Sequence, residues 1–392
     1  MASKVSNRTY LDYNATAPLR PEARAAALAA LEAPGNPSSV HAEGRAARLI
    51  VEEARAEVAK LAGVPTRCVT FVSGGAEAAN AALNPRFGGG TNAPALDRLI
   101  IAAGEHVCVL SGHRFAPSAV ERAPLRGDGR IDLDWLEAAC RGPGLPLLAL
   151  QAANNETGVI QPVAEAAALV HAAGGFVFCD AVQLAGRGDC EIAALGADAI
   201  ALSAHKLGGP KGGGALVAAR PDVSLGEPLI KGGGQERGAR AGTENVPAVA
   251  GFGAAVRASL VGLRQESERL LVLRERVEAA VRAYAPDAVV FGERAPRLPN
   301  TVCFSAPGVE AATLVIAFDL AGVAVSSGSA CSSGKVAPSH VLAAMGAPPA
   351  LARGAIRVSL GWSSSAADVE RFAEALAHSL KRMRSTRRMA AI

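Results

Sequence analysis

Lys206 ends the order Ser203-Ala204-His205-Lys206, directly after the apolar run 199–202, and Gly208-Gly209-Pro210-Lys211-Gly212-Gly213-Gly214 follows it closely. A lysine there is suited to imine formation, because desolvation readily lowers the pKa of its amine. Asp180 closes another apolar run, 176–178. A carboxylate near such a lysine can pair with a pyridinium nitrogen, keep it protonated and make the ring an electron sink. Ser203 and His205 are candidate donors to a phosphate, as are the backbone N–H groups of the Gly74-Gly75-Ala76 turn at the start of a helix. His106 follows the run 99–102, and Asn155 follows 147–150. The plainer alternatives are an exposed terminal lysine and a hydrogen-bonded structural histidine; the neighbouring Asp180 favours the cofactor reading of Lys206.

Cys331 is the second chemical feature. Ser326, Ser327, Gly328, Ser329, Ser332, Ser333 and Gly334 surround it, so almost nothing nearby has apolar surface to bury. A free cysteine is commonly a small core hydrophobe, and Cys179 and Cys303, on apolar strands, read that way. Cys331 reads instead as a thiol on an exposed loop, able to attack sulfur inside a pocket and carry it outward.

These residues need a scaffold that gathers strand ends. Short apolar runs alternate with helical segments such as 41–62 and 163–173. That pattern predicts a mostly parallel sheet covered on both faces, with ligands at the carboxyl ends of its strands. One long helical segment is expected over about 246–284. Beyond it, strands at 301–304, 323–325 and 356–359 with helices 310–321 and 366–384 read as a small α+β domain.

The chain resembles the cysteine desulfurases of the class V aminotransferase group, on the fold-type I pyridoxal-phosphate scaffold. The resemblance runs from Tyr10-Leu11-Asp12-Tyr13-Asn14-Ala15-Thr16-Ala17-Pro18 and Gly35-Asn36-Pro37-Ser38-Ser39 through Asn154-Asn155-Glu156-Thr157-Gly158 and Asp180-Ala181-Val182-Gln183. It continues in Glu236-Arg237-Gly238, Arg240, Gly242-Thr243, the Ser326–Ser332 stretch and Ile356-Arg357-Val358-Ser359-Leu360-Gly361. It implies an α/β fold: a large domain, 15–260, with a seven-stranded sheet, and a small domain made of 1–14 and 261–392. It implies pyridoxal phosphate on Lys206, Asp180 at the ring nitrogen, His106 on the ring face, and Gln183 and Asn155 near the ring hydroxyl and the substrate. Ser203, His205, Gly75 and Ala76 would hold the phosphate, and Thr243 would reach it from the neighbouring subunit of a homodimer. Arg357 would clamp the carboxylate of L-cysteine, a bidentate task that suits guanidinium. Lys206, His106 and Cys331 would be catalytic, converting cysteine to alanine and leaving the sulfur on Cys331 as a persulfide. The sulfur would pass to an acceptor protein, such as an iron–sulfur scaffold or a tRNA-thiolation carrier.

One departure concerns the phosphate turn. It reads Ser73-Gly74-Gly75-Ala76-Glu77 where the family has Ser-Gly-Ala-Thr-Glu, so Ala76 lacks a hydroxyl. A lost charge-assisted bond costs roughly 1.5–3 kcal/mol, so weaker cofactor binding is expected. The short stretch after helix 366–384 leads us to expect no long docking tail. The alternatives weighed are a selenocysteine lyase, another class V enzyme (an aminotransferase has no use for Cys331), and a non-catalytic sulfur-relay binding protein, to which only Ala76 lends support.

Composition limits the remaining classes. A net charge of +4 over 392 residues gives no footprint for nucleic acid. The one basic run, Lys381, Arg382, Arg384, Arg387 and Arg388, suits the negative end of a terminal helix, with docking of an acidic partner as the alternative. No apolar run reaches transmembrane length, and the first residues lack a signal-peptide core. Seven scattered cysteines without a CxxC pair suit a reducing compartment, so a cytoplasmic protein is expected. The other histidines show no metal-ligand spacing, and no metal is expected.

Overall fold

A computed structural model gives the fold over residues 8–89, 95–328 and 339–390. Strand β1 (Thr9–Tyr10) leads into the main sheet, formed by β2 (Val69–Val72), β3 (Arg98–Ala102), β4 (Val120–Ala123), β5 (Pro146–Gln151), β6 (Phe176–Asp180), β7 (Ala199–Ser203) and β8 (Gly214–Ala218). Their spatial order is β2-β8-β7-β6-β5-β3-β4. The run from β7 to β4 is parallel, whereas β8 is antiparallel to both its neighbours. The expected mostly parallel sheet is therefore present, with one reversed strand inserted near its edge.

Alternation along each strand feeds two cores. Ile100, Leu148, Leu150, Val177, Cys179, Ile200 and Leu202 face one side. Leu99, Ile101, Leu147, Ala149, Phe178, Ala199 and Ala201 face the other. A period of two with apolar residues on both phases is what helices on both faces require. With few aromatics, the helices approach through small residues: a β-carbon on Gly253 would lie 2.6 Å from Ala54 Cα.

Beyond the main sheet, β9 (Val289–Val290), β10 (Thr301–Ser305), β12 (Ser326–Ser327) and β13 (Ala355–Ser359) form an antiparallel sheet in the order β12-β13-β10-β9. Strand β11 (Val323–Ala324) pairs in parallel with β1. Val302, Phe304, Phe318, Ile356, Val358 and Phe372 build a separate core there.

Two expectations need correction. The segment 246–284 is two helices, Val246–Leu260 and Leu263–Tyr284, bent by 77°. Gly262 sits at the break with φ of 66°, a left-handed conformation that glycine adopts without a β-carbon penalty. Strand β8 was not expected, because its glycine-rich approach reads as loop. Gly214 is required there: a β-carbon on it would lie 2.6 Å from Gly74 Cα in the turn beyond β2.

Candidate active site

Strands β5, β6 and β7 end side by side at Gln151, Asp180 and Ser203. These ends, with the turn after β2 and the segment around Asn14, line a cavity of about 550 Å³. Lys206, Asp180, His106, Asn155, Gln183, Ser203, His205, Gly75, Ala76 and Arg357 all line it. Ten expected residues scattered over the chain thus share one cavity. Thr243 is exposed and does not line it within the protomer. Cys331 lies outside the described residues.

Lys206 follows β7 in a short 3-10 turn, Ala204–Lys206. Its Nζ donates to the carbonyls of Asn14 (2.5 Å) and Ala15 (2.9 Å). Burial raises the Asp180 pKa, opposed by the Val182 N–H and by the positive charge of His106 and Lys206. A cationic partner inside the cavity would favour its ionised form.

His106 caps a short helix, Val107–Leu110. Its Nδ1 accepts the Cys108 N–H at 3.2 Å and lies 3.0 Å from Cys108 Sγ. Since Nδ1 accepts, the neutral ring carries its proton on Nε2. Burial lowers the His106 pKa, helped by Lys206 and His340 and opposed by Asp180. In this tautomer the Nε2–H is a donor, and the accepting nitrogen, Nδ1, is held by the Cys108 N–H.

At the turn after β2, Gly75 opens the helix Gly75–Ala82, with its N–H groups unsatisfied by the helix itself. A β-carbon at Gly75 would meet Val182 Cγ2 at 2.9 Å, so the close approach needs glycine. His205 pairs with Thr16 Oγ1 at 2.9 Å. Burial, with Lys206, Lys211 and Arg187 nearby, pushes its pKa down to about 4.

Arg357, on β13, is 1% exposed. Nη2 donates to Asp12 Oδ1 at 2.6 Å and Nη1 to the Asn155 carbonyl at 3.1 Å, while Nε is buried without a hydrogen-bond partner. Asp12 and the Asn155 carbonyl thus hold the guanidinium at the cavity wall. Asn155 itself is set by Asn154, whose Oδ1 accepts from the backbone N–H groups of Glu156 and Thr157.

Several residues at the site carried no earlier assignment. Asn14 and Thr16 stand in the Tyr10–Pro18 run, yet nothing in that run marks their backbone and hydroxyl groups as ligands. Cys108 and Lys211 line the cavity. Glu156 is 4% exposed and accepts from Ser339 Oγ at 2.5 Å. Its Oε2 also lies 3.7 Å from where a β-carbon on Gly328 would sit. Burial lifts its pKa to about 7, with Ser339 and Arg357 pulling the other way. Away from the cavity, Glu236 binds the Arg55 guanidinium through both oxygens (2.7 and 2.8 Å) and accepts the Phe71 N–H. That contact holds Glu236 and Arg237 at φ of 47° and 58° in the segment leading to Thr243.

Comparison with known proteins shows the family to which the chain belongs. The profile of the family described as aminotransferase class-V matches residues 9–372. A cysteine desulfurase of Cereibacter sphaeroides is 42% identical over 375 residues, covering 94% of this chain and 95% of its own. Cysteine desulfurase IscS of Dictyoglomus turgidum is 37% identical over 386 residues, covering 97% and 96%. The solved NifS-like protein of Rickettsia africae superposes with a TM-score of 0.86 at 32% identity, over 96% of this chain and all (100%) of that one. The chain belongs to the aminotransferase class-V family, among its cysteine desulfurases.

Proposed function

We propose that this protein converts L-cysteine to L-alanine with pyridoxal phosphate and passes the sulfur through Cys331 to an acceptor protein. The observation that carries the reading is the meeting of Lys206, Asp180, His106 and Arg357 around one cavity. The donor set fits the cofactor: an amine for its carbonyl, a carboxylate for its ring nitrogen, and a helix N-terminus with Ser203 and His205 for its phosphate. When bound, pyridoxal phosphate supplies an electron sink that acidifies the substrate Cα–H and weakens Cβ–S.

The chain's own groups do the rest. Lys206 would hold the cofactor covalently and, once released, move the Cα proton. Gln183 and Asn155 would meet the ring oxygen and the substrate, and the backbone of Gly75 and Ala76 the phosphate. Thr243, exposed in the protomer, would serve the site of the neighbouring copy in a homodimer. Arg357, which lines the cavity, would take the substrate carboxylate. His106 would accept the substrate thiol proton at Nε2, which requires the tautomer with its proton on Nδ1 and release of the Cys108 N–H contact. Cys331 as thiolate would attack the substrate sulfur and keep it as a persulfide. The acceptor would be an iron–sulfur scaffold or a tRNA-thiolation carrier. The two-domain division, 15–260 against 1–14 with 261–392, is supported by the separate cores of the two sheets. Among the described residues no single helix is long and apolar enough to cross a membrane, and we assign the activity to the cytoplasm.

The test is incubation with L-cysteine, pyridoxal phosphate and a reductant, measuring sulfide and alanine. The parent should release both in equal amounts, and Cys331→Ala should release neither at the parent rate. A Cys331→Ala variant as fast as the parent refutes the nucleophile. A visible absorption band that survives Lys206→Ala refutes the cofactor attachment.

A further inference from the structure

Arg187 is a buried cation that the proposed reaction does not use. It is 7% exposed, and no carboxylate pairs with it among the described residues. Burial, then the charges of Arg357 and Arg20, lower its pKa to about 10. A charge kept under those conditions needs compensation from hydrogen bonds.

Those bonds go to two residues of the cavity. Nη1 donates to the Gln183 carbonyl and to Gln183 Oε1, both at 2.8 Å, and Nη2 donates to the Lys206 carbonyl at 3.4 Å. A guanidinium has donors and no acceptor. The side-chain atom of Gln183 that faces it must therefore be the oxygen, which removes the ambiguity of amide orientation. Nε2 is turned to the Asn14 carbonyl at 3.1 Å, the same oxygen that seats Lys206 Nζ. With Oε1 turned to Arg187 and one N–H of Nε2 to Asn14, the second N–H of Nε2 is left to donate. Gln183 thus has a donor to offer the cavity it lines.

We propose that Arg187 is a positioning residue. It fixes Gln183 as a donor toward the cofactor's ring oxygen and so favours the anionic form of that oxygen. The inference rests on the cofactor site proposed above. A donor that stabilises the ring anion lowers the proton affinity of the cofactor–lysine unit. Removing it raises the pH at which the visible band of the bound cofactor titrates.

The experiment is a spectrophotometric pH titration of the purified protein reconstituted with pyridoxal phosphate, without substrate. Arg187→Met should move the midpoint upward by about one pH unit, a tenfold change in proton affinity. Loss of a buried cation would raise the midpoint by itself, so the comparison is repeated in Gln183→Leu. Acting through the amide, Arg187→Met should add little in that background; acting through charge alone, it should add its full effect. Full additivity overturns the inference, as does an unshifted midpoint in the single variant. Should Arg187→Met not fold, Arg187→Lys, which keeps the charge but not the forked donor, is read in the same two backgrounds against the same criteria. A parent that takes up no cofactor overturns the site and this inference together. A parent that binds it while all variants titrate alike overturns the inference alone.

Discussion

Replacing Glu156 by glutamine should make the protein's stability less dependent on pH in one definite direction. The carboxyl has an ordinary value of 4.5 and is lifted to about 7, chiefly by burial against the weaker pull of Ser339 and Arg357. At ~1.4 kcal/mol per pH unit, the folded state prefers the neutral acid by roughly 3 kcal/mol. The folded chain thus binds a proton that the unfolded chain releases. The associated stability is fully present below about pH 4.5 and is lost as pH rises through about 7. Glutamine still accepts from Ser339 but does not titrate. The variant should therefore gain about 2–3 kcal/mol on the parent between pH 5 and pH 8. Denaturant unfolding of both proteins at the two pH values measures this, and other titrating groups cancel in the difference. A parent–variant difference that is flat over that interval refutes the assignment of a neutral Glu156, and one that moves in the parent's favour reverses it.

Three further outcomes follow from the geometry. His205, held down to about 4 by burial and the cations around it, should cost cofactor-free protein stability as pH falls from about 6.5 through about 4; His205→Asn should melt with less acid sensitivity over that window. Ala76→Thr restores a hydroxyl at the phosphate turn, and a charge-assisted bond of roughly 1.5–3 kcal/mol should tighten pyridoxal phosphate about 10- to 100-fold in an absorbance titration; unchanged affinity would mean that the backbone N–H groups already suffice. Glu236→Ala leaves Arg55, 3% exposed, without its two-oxygen partner, and a broken buried pair typically costs about 3–5 kcal/mol. Urea unfolding with a loss below about 1 kcal/mol would show that Glu52, which also contacts Arg55, can take over.

What could be read before the fold was known follows one rule. Parallel strands buried on both faces are apolar throughout, so the first polar residue after each marks the ligand-facing end. Asp180, Ser203 and Lys206 stand at such points, and the cavity lies there. Arg187 and Glu156 escaped that rule because a lone charge in a sequence looks the same whether it is solvated or buried. Ser339 reaches Glu156 only through the fold, whereas Gln183 lies one turn before Arg187 and only the burial of that turn was hidden. The break at Gly262 and strand β8 were missed for the converse reason. One glycine ends a helix while others permit a strand to pass against the Gly74 turn, and local composition cannot separate the two uses. Glu236 and Arg237, in a conformation rare for side-chain-bearing residues, gave no local signal, since Arg55 is supplied by a distant helix.

The pairing of β1 with β11 bears on the order of assembly during synthesis. Residues 9 and 323 are register partners, so β1 waits for about 300 further residues before it has this neighbour. All seven strands of the main sheet are made in between and can pair without it. The carbonyls of Asn14 and Ala15 that seat the Lys206 amine follow that strand by a few residues. The Asn14 carbonyl also accepts from Gln183 Nε2, and the Ala17 N–H donates to the His205 carbonyl. The same short segment is thus fastened at one end to the small-domain core and at the other to the strand ends of the large one.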